Sequence, residues 1–157
     1  MELTTDEMVD VSAPWSGNGF DVVAYGRPEG MTIEHCVLSA AFDREPTTCR
    51  DLCVRDHPNV ELTDPAGYTF PVATDSNCRN RLLHSRPIEA SEFIPKLWNA
   101  GIRNYRLLFN VQGERVAELT RAYRDMLEQI RTGGPIATSP REHVGREFTR
   151  GHFARAV

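Results

Sequence analysis

The feature that most constrains the fold is an alternation between extended and helical apolar patterns. Residues 20–26, FDVVAYG, predict a short buried strand, because Val22, Val23 and Tyr25 favour extended backbone. Residues 102–109 predict a second strand that is buried on both faces. A helical pattern precedes this second strand and another follows it. The order strand, helix, strand, helix is typical of parallel α/β structure with its helices outside the sheet.

The two helical patterns come from apolar residues spaced three and four positions apart. The first begins at Ser91, the expected N-cap, and ends at Gly101, and Pro95 fits it only within the first turn. The second runs from Glu114 to Arg131 and ends at a pair of glycines. Both helices therefore have the apolar stripe needed to pack on a sheet.

The connection from the first strand to the first helix, residues 27–90, is much longer than the roughly 2 to 6 residues usual in such folds. Loops after the carboxyl ends of strands build the active sites of α/β proteins. Residues 60–75 within this connection predict two short strands joined by a turn at 64–67. The connection also contains every cysteine of the chain: Cys36, Cys49, Cys53 and Cys78. We therefore expect a cysteine-rich insertion on the functional face.

Length and charge favour one globular domain, residues 1–157, with the insertion at 27–90 and a C-terminal tail at 132–157. The chain has 157 residues, of which 40% are apolar, enough to bury a core. With 18 basic and 22 acidic residues its net charge is -4, so no overall field attracts nucleic acid or anionic membranes. No signal peptide or membrane span is recognisable, and we expect a cytoplasmic protein.

In the reducing cytoplasm, four cysteines are expected to be metal ligands or reactive thiols rather than disulfides. Structural zinc sites usually take their ligands in two close pairs, and only Cys49 and Cys53 form such a pair. An iron–sulfur cluster accepts thiolates from scattered positions. Spacing alone leaves zinc and a cluster about equally supported. The remaining alternative is that the cysteines are small buried apolar side chains.

Other polar residues near the cysteines have weaker functional interpretations. His35 could act as a hydrogen-bond donor behind a ligand, as a catalytic base or as a structural histidine, and the last is favoured. Arg79 follows Cys78 and could raise a cluster's potential, although an ordinary surface arginine is the commoner case. Arg27 and Glu34 lie just beyond the first strand, where α/β enzymes place ligand-binding groups.

The end of the chain, FTRGHFARAV, carries Arg150, His152 and Arg155 among aromatic and small residues. These residues could bind an anion, or the segment could simply dock on the domain. Docking is the favoured interpretation.

Five segments carry a resemblance to a known family: VVAYGRPEGMTIEHC, CRDLC, LTDPAGYTFPVATDSNCRN, GIRNYRLLFN and TRGHFARAV. Through them the sequence resembles, over nearly its whole length, the collagenase-like peptidase family, family 32 of the unassigned (U) catalytic type. Four cysteines in this order, with DPAGYTFPV between the third and fourth, are a fairly specific combination. The overall match to the family is stronger than any single motif.

The resemblance implies both a fold and a cofactor. The family's catalytic domain is a TIM-like (β/α) barrel, and this chain would be its C-terminal portion with a cysteine-containing β-hairpin insertion. Members with known chemistry look like [4Fe-4S] proteins that hydroxylate pyrimidines in tRNA or rRNA, or the ring of ubiquinone precursors, without molecular oxygen. The resemblance places the cluster on Cys36, Cys49, Cys53 and Cys78.

The leading functional expectation is therefore an iron–sulfur protein that hydroxylates an RNA base or a quinone-type aromatic. The first alternative is a peptidase, which the family name suggests, although no Ser–His–Asp set or His-Glu-x-x-His motif is present. The second is a non-catalytic truncated subunit or metal-stabilised binding module. Family members have further strand–helix units before this segment. We therefore expect the strand at 21–25 to lack its N-terminal neighbours, and a partner chain or self-association to complete the barrel.

Overall fold

The structure is a computed structural model that describes residues 3–45, 49, 51–75, 77–137 and 139–154. It is a mixed α/β structure of two compact units. One, here called the core unit, comprises Met1–Gly26 and Arg86–Val157; the other, the cysteine unit, comprises Arg27–Ser85. The cysteine unit starts at the same residue as the insertion predicted from the sequence.

The helices and strands follow one another in this order: α1 (Thr5–Ser12), β1 (Asp21–Gly26), β2 (Glu29–Ile33), α2 (Val37–Ala41), α3 (Leu52–Arg55), β3 (Val60–Thr63), β4 (Thr69–Thr74), β5 (Asn80–Leu83), β6 (Ile88–Glu89), α4 (Ile94–Asn99), β7 (Asn104–Leu108), α5 (Val116–Thr132) and α6 (Arg141–Val144). Short 3₁₀ turns lie at Ala13–Trp15, Ser91–Phe93 and Gly151–Phe153. No helix of the described residues is both long and apolar enough to span a membrane.

The core unit contains a three-stranded sheet in the order β6-β1-β7. Strands β1 and β7 are parallel, from Asp21 opposite Asn104 to Gly26 opposite Leu108, which confirms both predicted strands and their parallel relation. Their carboxyl ends therefore lie at the same edge of the sheet. The described strands do not close into a barrel.

Strand β1 is central: it pairs with β7 from Asp21 to Gly26 and with antiparallel β6 at Tyr25 and Gly26, and both partners follow it in the chain. One expectation about this sheet is wrong. Strand β7 is not buried on both faces: Asn104 and Arg106 are exposed, while Tyr105 and Leu107 pack on apolar side chains of the core unit. The reason is that the described part of the chain covers only one face of β7.

Helix α5 confirms the helix predicted between Glu114 and Arg131, and Gly133 ends it with a positive φ of 71°. Its buried residues, Leu119, Ala122, Tyr123 and Met126, lie on one side. This apolar side packs on β1 and β7 residues such as Ala24 and Tyr105.

Helix α4 also forms, but Ser91 is not its N-cap. A 3₁₀ turn at Ser91–Phe93 precedes the helix, and the backbone N–H of Ser91 donates to the carboxylate of Glu89 at 2.9 Å. Pro95 lies in the first helical turn, as expected. Gly101 has a φ of 95°, and a Cβ there would lie 2.1 Å from the carbonyl oxygen of Ser16, so only glycine fits.

Helix α1 was not predicted from the sequence. Thr4 caps it, and the side chains of Thr4 and Glu7 each bond the other's backbone N–H in a capping box. The spacing of Thr4 and Glu7 is the sequence signal that could have indicated this helix. Apolar periodicity does not reveal this helix, because among its apolar residues Met8 is buried and Val11 is exposed.

The tail docks on the core unit, as the sequence favoured. Phe153 is buried and stacks on Phe93, with 5.4 Å between the ring centroids. The hydroxyl of Thr5 donates to the carbonyl of Phe153 at 2.7 Å, and Arg150 pairs with Glu92 at 2.6 Å. Arg155 lies outside the described residues. The charge of Arg150 is thus already balanced within the chain.

The cysteine unit is built on a four-stranded antiparallel sheet in the order β2-β5-β4-β3. The predicted hairpin is confirmed as β3 and β4. Its turn is closed by a bond from the N–H of Gly67 to the carbonyl of Asp64, whose carboxylate also accepts the N–H of Tyr68 at 2.8 Å. Strands β2 and β5 were not predicted. They make the hairpin part of a larger sheet, with β5 paired on both sides.

Candidate functional site

All four cysteines line one cavity of about 180 Å³ within the cysteine unit. The other described side chains that line it are Leu38, Ser39, Asp51, Leu52, Val54, Thr74 and Asp75. All four residues are free cysteines. Residues separated by as many as 42 positions in sequence, Cys36 and Cys78, are thus brought to the same place by the fold.

Three short elements carry the cysteines. Cys36 directly precedes α2, Cys53 lies within α3 with Cys49 shortly before it, and Cys78 lies in the turn between β4 and β5. Cys36 is 8% exposed, and the other three are half-buried. Cys36 packs with Leu38 and Leu52, and Cys49 and Cys53 contact this small cluster. The cysteines are therefore a large part of the unit's apolar core.

The turn that presents Cys78 is held by Asp75. One carboxylate oxygen of Asp75 accepts the backbone N–H groups of Asn77 and Arg79, at 2.8 and 3.1 Å, and the other accepts the guanidinium of Arg79. The N–H of Cys78 donates to the carbonyl of Asp75 at 3.1 Å. These bonds hold the short segment in one conformation.

Backbone strain is concentrated around the cysteines. Cys78 has a φ of 62°, and Asp43 and Asp51 have φ values of 50° and 58°. Residues other than glycine rarely adopt this left-handed region. Such strain persists only where the surroundings fix the conformation, and it clusters at functional sites. The strained segments here are those that place Cys49, Cys53 and Cys78.

A buried amide joins two of the cysteine segments. Asn80 is completely buried, and its side-chain nitrogen donates to the carbonyl of His35 at 2.6 Å. The same nitrogen lies 3.5 Å from the carbonyl oxygen of Cys78. The amide oxygen of Asn80 accepts the hydroxyl of Thr74 at 2.9 Å. The sequence did not predict a role for Asn80, whose only local signal is its position two residues after Cys78.

The thiols of Cys36 and Cys78 differ in their pKa values. Burial raises the pKa of Cys36, but the backbone N–H and hydroxyl of Ser39, the N–H of Leu38 and the amide of Asn80 outweigh burial and bring the pKa below its usual value. Cys36 therefore loses its proton more readily than an ordinary cysteine.

Burial also raises the pKa of Cys78, and there nothing offsets it. The nearby Cys49, Cys36 and Cys53 and the carboxylate of Asp51 raise it further. Cys78 therefore resists deprotonation as long as no positive charge enters the cavity.

The four cysteines share a cavity, but the described residues do not form a close single-metal site. With Zn–S bonds of about 2.3 Å, the sulfurs of a tetrahedral zinc site lie about 3.8 Å apart. Among the described residues, no three His, Cys, Asp or Glu side chains are grouped closely enough to hold one metal ion.

The other residues singled out from the sequence do not line this cavity. His35 is exposed, and its backbone carbonyl accepts a hydrogen bond from the amide of Asn80. Arg27 donates to the carbonyl of His84 at 2.8 Å, which joins the two ends of the cysteine unit. Glu34 is exposed. Arg79 is engaged by Asp75 and is not an isolated surface arginine.

Comparisons of the chain with protein-family models, with curated proteins and with solved structures find no match. Function must therefore be argued from the cavity and its cysteines.

The backbone of Cys78 gives a prediction for the metal-free protein. Cys78→Gly removes the side chain and relieves the positive φ, whereas Cys78→Ala removes the thiol and keeps the strain. We expect the glycine variant to be the more stable by about 1–2 kcal/mol, the cost of a left-handed conformation for a residue with a Cβ. Urea unfolding of both variants in the presence of a chelator measures this. Equal stabilities would show that the turn does not hold residue 78 at positive φ.

Proposed function

We propose that this chain is an iron–sulfur protein and that Cys36, Cys49, Cys53 and Cys78 are the ligands of a [4Fe-4S] cluster. The single observation that carries the proposal is that all four cysteines of the chain line one cavity. A cluster also accounts for the strained backbone beside these residues, because strain at a ligand is offset when the ligand binds. Zinc is the alternative occupant.

We further propose that the core unit is the C-terminal portion of a TIM-like barrel of the U-type peptidase family 32. The parallel pair β1 and β7, with α4 between them and α5 after them, is consistent with two strand–helix units of such a barrel. The cysteine unit follows Gly26, the carboxyl end of β1, in the chain. A barrel presents its catalytic groups on loops at that end of its strands.

The reaction that this proposal implies is oxygen-independent hydroxylation of an RNA pyrimidine or a quinone-type aromatic, in which a co-substrate other than O₂ supplies both the oxygen atom and the two-electron oxidant. When bound, a [4Fe-4S] cluster with four cysteine ligands supplies electron transfer. The chain's own contribution is to hold the cluster in a pocket lined by Leu38, Leu52 and Val54, which limits the access of water. The substrate class rests on the family resemblance.

Peptide hydrolysis receives less support. A cysteine nucleophile requires a neighbouring base, which in most enzymes is a histidine. The described lining of the cavity contains no histidine. Cys36, the thiol with the lowered pKa, is also almost completely buried. A reactive thiol is expected to be partly exposed to its substrate.

The cofactor proposal predicts the composition of the reconstituted protein. After anaerobic incubation with iron and sulfide, the full chain should hold about four iron and about four sulfide ions, with the broad visible absorption of a cluster. Chemical analysis of iron and acid-labile sulfide, with an absorption spectrum, measures this. The matched control is Cys36→Ser, which should hold less of both. Stoichiometric zinc without sulfide would exclude the cluster.

The reaction proposal predicts a cellular phenotype. A Cys49→Ala, Cys53→Ala double variant of the complete protein, expressed in cells grown without oxygen, should lose one hydroxylated product that wild type restores. Mass spectrometry of tRNA and rRNA pyrimidines and of quinone intermediates identifies the product. Unchanged profiles, together with gelatin or peptide cleavage that survives the double substitution, would favour the peptidase.

We also propose that the sheet of the core unit is extended by a partner chain or a second copy at β7. Among the described strands only β1 pairs with β7, so one edge of β7 can accept a further strand. Sedimentation velocity should therefore give a mass above the 17.7 kDa of one chain, increasing with concentration. A strictly monomeric protein with a sharp two-state melt would contradict self-association.

A further inference from the structure

Asn80 is unusual among the residues around the cysteines because it is a polar side chain with no exposed surface. It begins β5, the strand that pairs with β2 on one side and β4 on the other, opposite Ile33 and Thr74. A residue held by both neighbouring strands has little freedom to move. The direction of its amide is therefore fixed by the sheet.

The contacts of this amide reach two of the cysteine segments. The nitrogen donates to the carbonyl of His35, the residue before Cys36, and its contact with the carbonyl of Cys78 reaches the other segment. The hydroxyl of Thr74 donates to the amide oxygen, which fixes the amide so that its NH₂ group is directed to these carbonyls. The same side chain is one of the groups that lower the pKa of the Cys36 thiol.

An asparagine at this place is poorly explained by folding alone. Asparagine is depleted in strands, and burying an amide is costly unless its groups are bonded. An apolar residue would suit the centre of an antiparallel sheet better. Sites that contradict local preference in this way are expected to be functional.

We infer that Asn80 is a positioning residue of the cluster site: its amide fixes the separation of the Cys36 and Cys78 segments, and in the cluster-bound protein its second N–H donates a hydrogen bond to the Cys36 sulfur. This inference rests on the proposed function, because it assigns Asn80 a role toward the cluster. Hydrogen bonds to ligand sulfurs stabilise the more negative, reduced state of an iron–sulfur cluster and raise its reduction potential. Asn80 therefore acts on both the assembly of the cluster and its potential.

The experiment uses the full chain, reconstituted anaerobically, as wild type, Asn80→Ala and Asn80→Asp. Asn80→Asp keeps the shape of the side chain but loses the donor. Both variants should have a lower reduction potential than wild type in a redox titration followed by electron paramagnetic resonance. Release of iron to a chelator should be faster by about 10- to 100-fold, the usual effect of losing a residue behind a metal ligand.

Two further variants separate this role from simple destabilisation. Thr74→Val removes the hydroxyl that orients the amide of Asn80, and the sheet should still form. This variant should lower the reduction potential by less than the Asn80 variants do. It therefore tests the role of the amide even if replacing Asn80 unfolds the protein. Asn77→Ala is the matched control, because Asn77 is exposed in the turn beside Cys78. It should leave both the potential and the rate of iron release unchanged.

The outcomes distinguish this inference from the proposed function. A wild-type chain that holds no iron and sulfide would overturn the proposed function and this inference with it. A wild-type chain with a cluster, and Asn80 and Thr74 variants whose potentials equal that of Asn77→Ala, would overturn this inference alone.

Discussion

The buried carboxylate of Glu89 is the interaction on which the core unit depends. Glu89 has no exposed surface, and it accepts bonds from the N–H of Ser91 and from Arg141, at 2.9 Å each. The hydroxyl of Tyr123 lies 3.2 Å from the same carboxylate and 3.0 Å from the carbonyl of Ala24. Burial, and next the charge of Glu89, raise the pKa of Tyr123 well above its usual value, so this hydroxyl stays protonated. One carboxylate thus connects β6, β1, α5 and the tail. Removing Arg141 alone would leave a buried charge unpaired, which costs about 3–5 kcal/mol.

The cysteine unit depends on a different principle. Its buried apolar cluster consists of Cys36, Leu38 and Leu52, with Cys49, Cys53 and Val60 partly buried against it. A core in which half of the side chains are thiols has little aliphatic surface to stabilise it. In such small units, ligand binding and folding share one free energy. The four-stranded sheet supplies the framework, and the segments that hold the first three cysteines lie outside its strands. Those segments would therefore gain the most stability from a bound cluster.

Much of the fold could be predicted because apolar periodicity reports burial. The pattern of Val22, Val23 and Tyr25 predicted β1, and the long stripe after Glu114 predicted α5. The same signal failed where charge or geometry decides the structure. Strands β2 and β5 are short and carry polar residues such as Thr32 and Arg81, whose side chains lie at a surface. The burial of β7 was overestimated, because a sequence does not show how many strands flank it.

The site was predicted only in part, because some of its residues act through partners that are distant in the sequence. Grouping the cysteines required only their presence in one long connection, whereas the role of Asn80 required the pairing of β5 with both β2 and β4. Ser91 shows the same limit: its type suits an N-cap, but the carboxylate of Glu89 takes its N–H instead. Side chains that act through a tertiary partner leave no local pattern in the sequence.

The electrostatics of the cavity bear on which occupant the cysteines can hold. Four thiolates beside Asp51 and Asp75 would place up to six negative charges around about 180 Å³. The nearby cation, Arg79, is already engaged by Asp75. The opposite shifts of the Cys36 and Cys78 pKa values express this imbalance, since hydrogen bonds stabilise the first thiolate and its neighbours oppose the second. A cationic occupant would reverse the effect at Cys78, because a coordinated thiol is deprotonated by the metal itself. Free thiolates are thus unfavourable in this cavity, and the cationic occupant proposed for it would offset their charge.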